Sequence, residues 1–504
     1  MKKTTLHLST AFEIAPVDRR LFGGFLEHMG RSIYQGVYDP ESVHADENGL
    51  RRDVVEALRG LELSMVRYPG GNFVSGYHWR DGIGPRDHRP TRLDMAWNSV
   101  EPNAFGTHEF LDLCAELDWE PMFAVNLGTG SPEEARDWVE YVNRPGGTAI
   151  ADQRAANGRL DPWDVRLWCL GNEMDGPWQT GHVPALEYAI RAQQAAKMMK
   201  DTDPRLEFVA CGSSGPWMPT FAEWDREVLE HLGGLGHYVS LHRYVDNHAD
   251  DTEDFLAITN SIDQQIESVD AVCRYVQARR RSPQRRTWLC FDEWNVWYKA
   301  KLPEREKSEG VEPATFAPHL IEEVYNLEDA LVVAGFLNSF LRHADVVKVA
   351  NIAQLVNVIA PILTRGDEIL LQPIYDAFAM YSRRKHGTAL RVGVDGPRYR
   401  GRQHGEVPYL DTAAIRDSDT LHLFVTNRDT AAPAEVEVRL AGAELQSLLS
   451  GEILTGRDAK RANSFDSPEE VRARSFDDVR FDHAGRATFE TPALSLVAFS
   501  FRLR

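Results

Sequence analysis

Eight short apolar runs, each followed by an amphipathic stretch, recur along the first three quarters of the chain. Each run ends in glycine, asparagine or a charged residue. Continuous apolar runs of this length are typical of strands that are buried on both faces of a parallel sheet. In chain order the runs read LFGGFLEH, SMVRYPGGN, PMFAVNLG, VRLWCLGNE, EFVACGSSG, HYVSLHRY, RTWLCFDEW and VVKVANIAQLVN. The pattern therefore predicts eight strand-helix units.

The segments between the runs carry apolar residues three and four positions apart, which predicts helices. One segment opens with Ser131, Pro132 and two glutamates, the pattern of an N-cap, a first-turn proline and first-turn acids. The longest predicted helix covers residues 253–281. Eight such units over residues 18–385 predict a catalytic (β/α)8 TIM barrel. A doubly wound sheet is the alternative, but its nucleotide-binding pattern G-x-G-x-x-G is missing after the first run.

The hydrophobic pattern changes after about residue 386, where polar and apolar residues alternate with a period of two. The stretches TLHLFVTNRD, AEVEVRLAG, GRATFETP and LSLVAFSFRLR are separated by polar or glycine turns. This alternation predicts an antiparallel, jelly-roll-like β-sandwich. The N-terminal TTLHLSTAFEIAPV alternates in the same way. We therefore assign residues 1–17 and 386–504 to one sandwich domain.

The composition narrows the range of partners and the compartment. A formal net charge of −20 argues against a nucleic-acid backbone and against an anionic membrane surface, whereas a neutral sugar fits this balance. No apolar run is long enough to span a bilayer, and the N-terminal lysines are not followed by a signal-peptide core. The five cysteines are scattered and form no Cys-x-x-Cys pair. Together these features predict a reduced, cytoplasmic protein.

Polar residues occupy the predicted carboxyl ends of the eight strands, which meet at one mouth of such a barrel. A purely structural barrel needs only turn residues there. The set comprises Glu27, Arg67, Asn72, Asn126, Asn172, Glu173, Ser213, His242, Tyr244, Glu293 and Gln354. Aromatic residues lie nearby in sequence: Trp97, Trp178, Trp294, Trp297 and Tyr298. Flat apolar rings combined with acids and amides suit a sugar.

Two carboxyl groups across a pocket are the requirement of glycoside hydrolysis, with one as proton donor and the other as nucleophile or base. Glu173 and Glu293 follow the fourth and seventh runs and fit these roles. Asn172 is placed to bind a sugar 2-hydroxyl, and Arg67 and Tyr244 are placed to keep Glu293 ionised.

Each of these residues also has a purely structural explanation. Glu173 alone is typical of a surface loop, and Glu293 could belong to a solvated pair with Asp292. Arg67 could be a structural ion-pair partner, and His242 fits a core histidine. Tryptophans are core residues more often than sugar platforms. The coincidence of acids and amides at independently counted strand ends favours the catalytic interpretation.

Seven ordered motifs between residues 20 and 380 resemble glycoside hydrolase family 51, whose best-known members are intracellular α-L-arabinofuranosidases. They are FGGFLEHMGRSIYQGVYDP, VRYPGGNFVSGYHWRDGIGP, WNSVEPNAFGTHEF, WCLGNEMDGPWQTGH, SLHRYV, FDEWNVWY and NIAQLVNVIAPI. The resemblance implies an exo-acting, retaining enzyme in which Glu173 is the acid/base and Glu293 the nucleophile. It also implies a sugar site lined by Glu27, Arg67, Asn72, Asn172, Tyr244, Gln354, Trp97 and Trp297.

The resemblance further implies an arabinofuranosyl oligosaccharide substrate, no metal or organic cofactor, and a homo-oligomer, as in the hexamers of the family. A same-family enzyme that prefers a β-xyloside or β-glucan is one alternative. A non-catalytic sugar-binding barrel is another. The charged segment 301–319 after the seventh run fits a solvated loop, with a lid or an oligomer contact as the alternatives.

Overall fold

Eight parallel strands close into a barrel in the computed structural model, which describes residues 2–281, 286–302 and 313–504. We number these strands β1 (Gly23–Phe25), β2 (Met65–Tyr68), β3 (Glu120–Ala124), β4 (Leu167–Leu170), β5 (Glu207–Ala210), β6 (Tyr238–Val245), β7 (Trp288–Val296) and β8 (Val347–Ala353). Each overlaps one of the eight predicted runs, and β8 pairs with β1 to close the ring. The predicted (β/α)8 barrel is confirmed.

Alternate strand residues form a small apolar core of their own, and the residues between them pack in the larger core that the helices share. Met65, Met122, Leu167 and Val349 belong to the small core, and so does Cys169. Burial raises the pKa of the Cys169 thiol well above its ordinary value. Cys169 is therefore a packed thiol and not a nucleophile.

Ten helices are present among the described residues: α1 (Arg52–Gly60), α2 (Thr107–Leu117), α3 (Pro132–Asn143), α4 (Ala149–Ala156), α5 (Ala185–Thr202), α6 (Glu223–Leu232), α7 (Thr252–Leu256), α8 (Thr259–Arg279), α9 (Leu327–Arg342) and α10 (Pro373–Ser382). Helix α3 begins as predicted, with the Ser131 side chain accepting from the Glu134 amide at 3.2 Å. Helices α4 and α6 had no individual prediction.

The single helix predicted over residues 253–281 is wrong in one respect, because it is broken between α7 and α8. Arg428, from the C-terminal part of the chain, lies at the break. Its guanidinium donates to the Leu256 carbonyl at 3.3 Å and to the Thr259 hydroxyl at 2.8 Å. A carbonyl that bonds to a guanidinium has no need of a helical amide partner, so a distant residue ends α7.

Shorter elements fill the loops. The short 3₁₀ helices are Arg19–Phe22, Asn72–Gly76, Trp79–Gly82, Arg86–His88 and Gly233–Leu235. Three two-stranded ribbons pair Arg92–Asp94 with Ser99–Glu101, Ile362–Arg365 with Glu368–Leu371, and Arg398–Gly401 with Gly405–Pro408.

Two larger sheets form the predicted sandwich. In spatial order the first contains Gly393–Asp395, Lys2–Ser9, Ala434–Ala441, Ala487–Thr491 and Val479–Phe481. The second contains Glu13–Pro16, Thr388–Leu390, Leu410–Asp417, Thr420–Asn427, Ser495–Leu503, Leu445–Thr455 and Arg474–Ser475. One apolar core contains residues of both sheets, including Leu6, Val436 and Phe499.

The N-terminal strand joins this sandwich, but its pairing corrects the prediction of a purely antiparallel domain. Lys2–Ser9 runs parallel to Ala434–Ala441 over all eight residues. Strands joined by a tight turn must pair antiparallel. These two segments are far apart in sequence, so they can pair in either direction. The domain boundaries at residues 17/18 and 385/386 stay predictions.

Two predictions concern membrane spans and the loop after β7. Among residues 2–281, 286–302 and 313–504, no helix has the length and apolar character that crossing a bilayer requires. Residues 303–312, most of the charged segment 301–319, lie outside the described residues.

Arg428 generates a stability prediction, because it bonds the barrel to the sandwich while almost fully buried. Besides its contacts at the helix break, it donates to the Pro408 carbonyl at 2.6 Å. Arg428→Leu leaves these acceptors unpaired and should cost about 2–4 kcal/mol. We expect a lower unfolding temperature by calorimetry, whereas the exposed Arg480→Leu should melt with the wild type. Identical melting of Arg428→Leu would show that the contacts contribute nothing.

Candidate active site

Glu173 lies just beyond the carboxyl end of β4 in an unusual backbone conformation. The chain passes through Gly171 with a φ of 95°, and Glu173 itself has a φ of 43°. Residues with side chains seldom adopt this left-handed region, and where they do the surrounding structure must hold them there. Here the Gly176 amide donates to the Glu173 carbonyl at 2.8 Å. The turn therefore holds the Glu173 side chain at the barrel mouth.

Glu293 lies within β7, where two donors contact its two carboxylate oxygens. The Arg67 guanidinium, from β2, donates to Oε1 at 2.7 Å, and the Tyr244 hydroxyl, from β6, donates to Oε2 at 2.9 Å. Both oxygens are bonded, and the carboxylate is nearly buried. These two donors fix the orientation of the Glu293 carboxylate and place a cation beside it.

The two glutamates face each other across the mouth with His242 between them. One oxygen of each lies within 4.8 Å of the other and of an imidazole nitrogen. His242 Nδ1 is 2.9 Å from Glu173 Oε1 and 3.6 Å from Glu293 Oε2. Strands β4 and β7 therefore bring together two carboxyl groups that are 120 positions apart in sequence.

A buried group of charged residues contacts the two cations of the site, Arg67 and His242, on the side of Asp292. Asp292 accepts from the Ser240 hydroxyl at 2.6 Å and lies 3.5 Å from Arg67 and 3.4 Å from His242. Burial alone would raise the pKa of Asp292, but Arg67 and His242 lower it below its ordinary value. Burial also opposes the charged form of His242, yet Glu293 and Asp292 raise its pKa well above the ordinary value. The site thus holds two cations among its acids.

Glu27, at the end of β1, forms a second side of the mouth with Gln354 and Trp97. Gln354 Nε2 donates to one Glu27 oxygen at 3.0 Å, and the Phe73 amide and the Trp97 indole donate to the other at 3.0 and 3.3 Å. Burial and then the charge of Glu293 raise the pKa of Glu27 to about 8, and the Phe73 and Trp97 donors oppose this without cancelling it. Glu27 is therefore a weaker acid than an ordinary glutamate.

Asn172 and Asn72 lie between the two sides. Asn172 Oδ1 accepts from Arg67 at 2.6 Å, and its amide nitrogen is 3.5 Å from Asn72 Oδ1. Gly71 precedes Asn72, and a Cβ there would come within 2.9 Å of Glu293 Oε1. The backbone can pass this close to the nucleophile candidate only because residue 71 is glycine.

The aromatic residues divide between wall and core. Trp297 packs edge-on against Tyr244 with ring centroids 5.6 Å apart, and Trp178 donates its indole N–H to Glu173 Oε2 at 2.5 Å. Trp294 is different: it is fully buried against Phe336 and Phe340. Trp294 therefore belongs to the core that the helices share and not to the mouth. Its expected place near the sugar is wrong.

Two of the strand-end residues do not join the site. Asn126 Oδ1 accepts from the amides of the 128–130 turn, each at 3.0 Å, and Ser213 bonds to Asp225 at the start of α6. The sequence favoured a structural role for His242, which instead lies between the two glutamates. Gln179 was not predicted at all, and its side chain lies 3.2 Å from that of Asn172. The position of His242 at the end of β6 was the available signal, whereas Gln179 lies in a loop with no periodicity to place it.

Glu173, His242 and Glu293 also have the residue types and proximity of a metal-binding group. Their charges argue otherwise. Glu293 already bonds to Arg67, and His242 carries a raised pKa, so the positive charge that a metal would supply is present in the protein. The group fits a hydrogen-bonded acid pair better than a metal centre.

Two opposed carboxyl groups, one held by a cation and the other in reach of solvent, in a barrel mouth with aromatic walls, define the site of a glycoside hydrolase. Comparison with known proteins agrees. The family model of the alpha-L-arabinofuranosidase C-terminal domain matches residues 292–495, and that of the alpha-L-arabinofuranosidase 1 domain matches residues 57–265.

Relatives cover nearly the whole chain. The intracellular exo-alpha-(1->5)-L-arabinofuranosidase 1 of Bacillus subtilis is 43% identical over 92% of each chain. The exo-alpha-(1->6)-L-arabinofuranosidase of Bifidobacterium longum is 42% identical over 94% of this chain and 92% of its own. A solved family 51 alpha-L-arabinofuranosidase from Bifidobacterium longum superposes with a TM-score of 0.94 at 37% identity, covering both chains fully. The chain belongs to the α-L-arabinofuranosidases of glycoside hydrolase family 51.

The raised pKa of Glu27 generates a prediction about pH. The folded state holds this proton more tightly than the unfolded state, so the stabilisation is complete below about pH 4.5 and is lost as pH rises to about 8. Glu27→Gln removes this dependence. As pH increases from about 4.5 to about 8, the wild type should lose stability that the variant keeps, so the unfolding temperature of the variant should rise relative to that of the wild type. The exposed Glu41→Gln is the control, and parallel curves for Glu27→Gln and wild type would contradict the assignment.

Proposed function

We propose that the chain is an exo-acting, retaining α-L-arabinofuranosidase that removes terminal non-reducing α-L-arabinofuranosyl residues from arabino-oligosaccharides, arabinan or arabinoxylan fragments. The observation that carries the mechanism is the approach of Glu173 and Glu293 oxygens to within 4.8 Å. Retaining glycosidases place their carboxyl groups about 5–5.5 Å apart, whereas inverting enzymes leave about 6.5–9.5 Å for a water molecule. The narrow gap supports a covalent intermediate.

In the first step, Glu293 attacks the anomeric carbon while Glu173 gives its proton to the departing oxygen. The bond from carbon to that oxygen breaks as the ester to Glu293 forms. In the second step, Glu173 takes a proton from water, and the water oxygen displaces Glu293. Two inversions return the original anomeric configuration, and both carboxyl groups return to their starting protonation states.

The polar residues around the pair support binding of one furanose ring. Asn172, held by Arg67, is placed for the 2-hydroxyl, a contact that strengthens as the oxocarbenium-like transition state develops. Glu27, Gln354 and Asn72 supply further hydrogen-bonding groups. Trp97 and Trp297 border the same apolar cluster beside the mouth and form its wall.

Relatives and composition support the remaining details. The Bacillus subtilis relative is named for α-(1->5) linkages and the Bifidobacterium longum relative for α-(1->6), so we propose arabinofuranosyl oligosaccharides without choosing between these linkages. The word intracellular in the first name and the five buried, free cysteines support a cytoplasmic location. We also propose a homo-oligomer, a hexamer as the family resemblance implies, with neither nucleic acid nor membrane as partner.

Substrate preference is tested with aryl glycosides. We expect a kcat/KM on 4-nitrophenyl α-L-arabinofuranoside at least about 100-fold above that on 4-nitrophenyl β-D-xylopyranoside, because a six-membered ring misplaces the hydroxyls that the polar residues contact. Initial rates measure both values. A preference for the xyloside would replace this proposal with a xylosidase of the same family.

The two glutamates are tested by substitution. Glu293→Ala should reduce turnover by at least about 1,000-fold, and azide should restore part of the activity of Glu173→Ala on substrates with good leaving groups. Glu120→Gln, at the opposite end of the barrel, is the matched control with turnover intact. Proton NMR of the first product should show the retained anomer. Initial release of the inverted anomer would rule out the covalent route.

A further inference from the structure

A cavity of about 400 Å³ adjoins the active site on the side of β6 and β7. Tyr244 and Trp297, which border the Glu293 carboxylate and its wall, also line this cavity. Its volume is in the range of small-molecule sites. The cavity therefore shares two of its lining residues with the site.

Trp217 forms one wall from the loop after β5. The residue is 56% exposed. The ring lies over Gly215, where a Cβ would come within 2.4 Å of it. The same Gly-Pro-Trp sequence occurs at residues 176–178, where Trp178 lies over Gly176 and contacts Glu173. Two turns of identical sequence thus present flat apolar rings, one in contact with Glu173 and the other lining the cavity.

The opposite wall comes from the sandwich half of the chain. The ribbon Arg398–Gly401 with Gly405–Pro408 reaches the barrel, and Gln403 and His404 at its tip line the cavity. Burial lowers the pKa of His404, so its imidazole is neutral near pH 7 and offers one donor and one acceptor. The Gln403 amide offers the same combination, which matches sugar hydroxyls.

The tip is held in place by bonds to the barrel. The backbone N–H of Gln403 donates to the Asp254 carboxylate at 2.8 Å, and the Asn260 side chain donates to the His404 backbone carbonyl at 2.6 Å. Tyr399 donates to the Glu253 carbonyl at 3.1 Å. A Cβ at Gly401 would come within 2.9 Å of Ala257, so the ribbon packs directly on α7 and the α7–α8 break. Backbone anchors of this kind leave the two side chains free to contact a ligand in a fixed position.

We propose that this cavity binds the leaving-group sugar units of the substrate, with Gln403 and His404 of the second domain as specificity-determining residues. The inference rests on the proposed function, because an exo-enzyme holds one terminal ring between its glutamates and every other unit lies outside. The cavity shares Tyr244 and Trp297 with the site. Its lining combines the Trp217 indole with polar side chains, namely Gln403, His404, Arg243, Asp246, Asp251 and Asp254, and this combination of a flat apolar ring with hydrogen-bonding groups suits a sugar.

The test compares a substrate that has leaving-group sugars with one that has none. The quantity measured is kcat/KM. One substrate is 4-nitrophenyl α-L-arabinofuranoside, and the other is whichever arabinotriose, α-(1→5)- or α-(1→6)-linked, the wild type hydrolyses faster. In the Gln403→Ala/His404→Ala double variant, the ratio of the trisaccharide value to the aryl value should fall about tenfold, as expected for two lost hydrogen bonds. Trp217→Ala should lower the same ratio. Arg400→Ala, exposed in the same ribbon and outside the cavity, should leave it unchanged.

The possible failures are distinguishable. A wild type that hydrolyses neither substrate would contradict the proposed function and this inference together. Wild-type turnover with an unchanged ratio in the double variant and in Trp217→Ala would contradict this inference alone. An equal loss on both substrates would also overturn it, because it would assign the ribbon a general structural role.

Discussion

The bond between Arg67 and Glu293 is the interaction on which the site depends. Arg67 is fully buried and contacts Asn172 and Glu293 while lying close to Asp292. A buried guanidinium is costly unless acids surround it, and buried acids are equally costly without a cation. The cluster is therefore stable only as a whole. Its geometry fixes the nucleophile candidate and the Asn172 side chain at the same time.

The barrel was predictable because its periodicity is locally encoded, and the two glutamates followed from the positions of strand ends. What escaped prediction depends on distant contacts. Leu410–Asp417 is buried along most of its length, with Asp411 bonded to Arg342, so it lacks the alternation of an exposed strand. Leu445–Thr455 contains register shifts that interrupt the period of two. The break before α8 arises from Arg428, which no local pattern reveals.

The same distinction applies to the candidate site. Glu173, Glu293, Arg67 and Tyr244 lie together because parallel strands bring their ends to one mouth, so counting strands was enough. His242 was present in the strand-end set, yet its position beside the glutamates depends on a register shift in the pairing of β6 with β7, where Phe291 and Asp292 of β7 lie opposite the single residue Leu241 of β6. An extra residue of this kind changes which face a side chain occupies. Sequence periodicity cannot place such an insertion.

The parallel pairing of the N-terminal strand has a consequence for how the chain reaches this structure during synthesis. Lys2–Ser9 leaves the ribosome long before Ala434–Ala441, its neighbour in the sheet. Every barrel strand is synthesised between these two segments. The first strand must therefore remain without this partner while the barrel residues emerge, and closure of the sandwich is a late, long-range event. The polar and charged residues in its sequence KKTTLHLS reduce the risk of self-association during that interval.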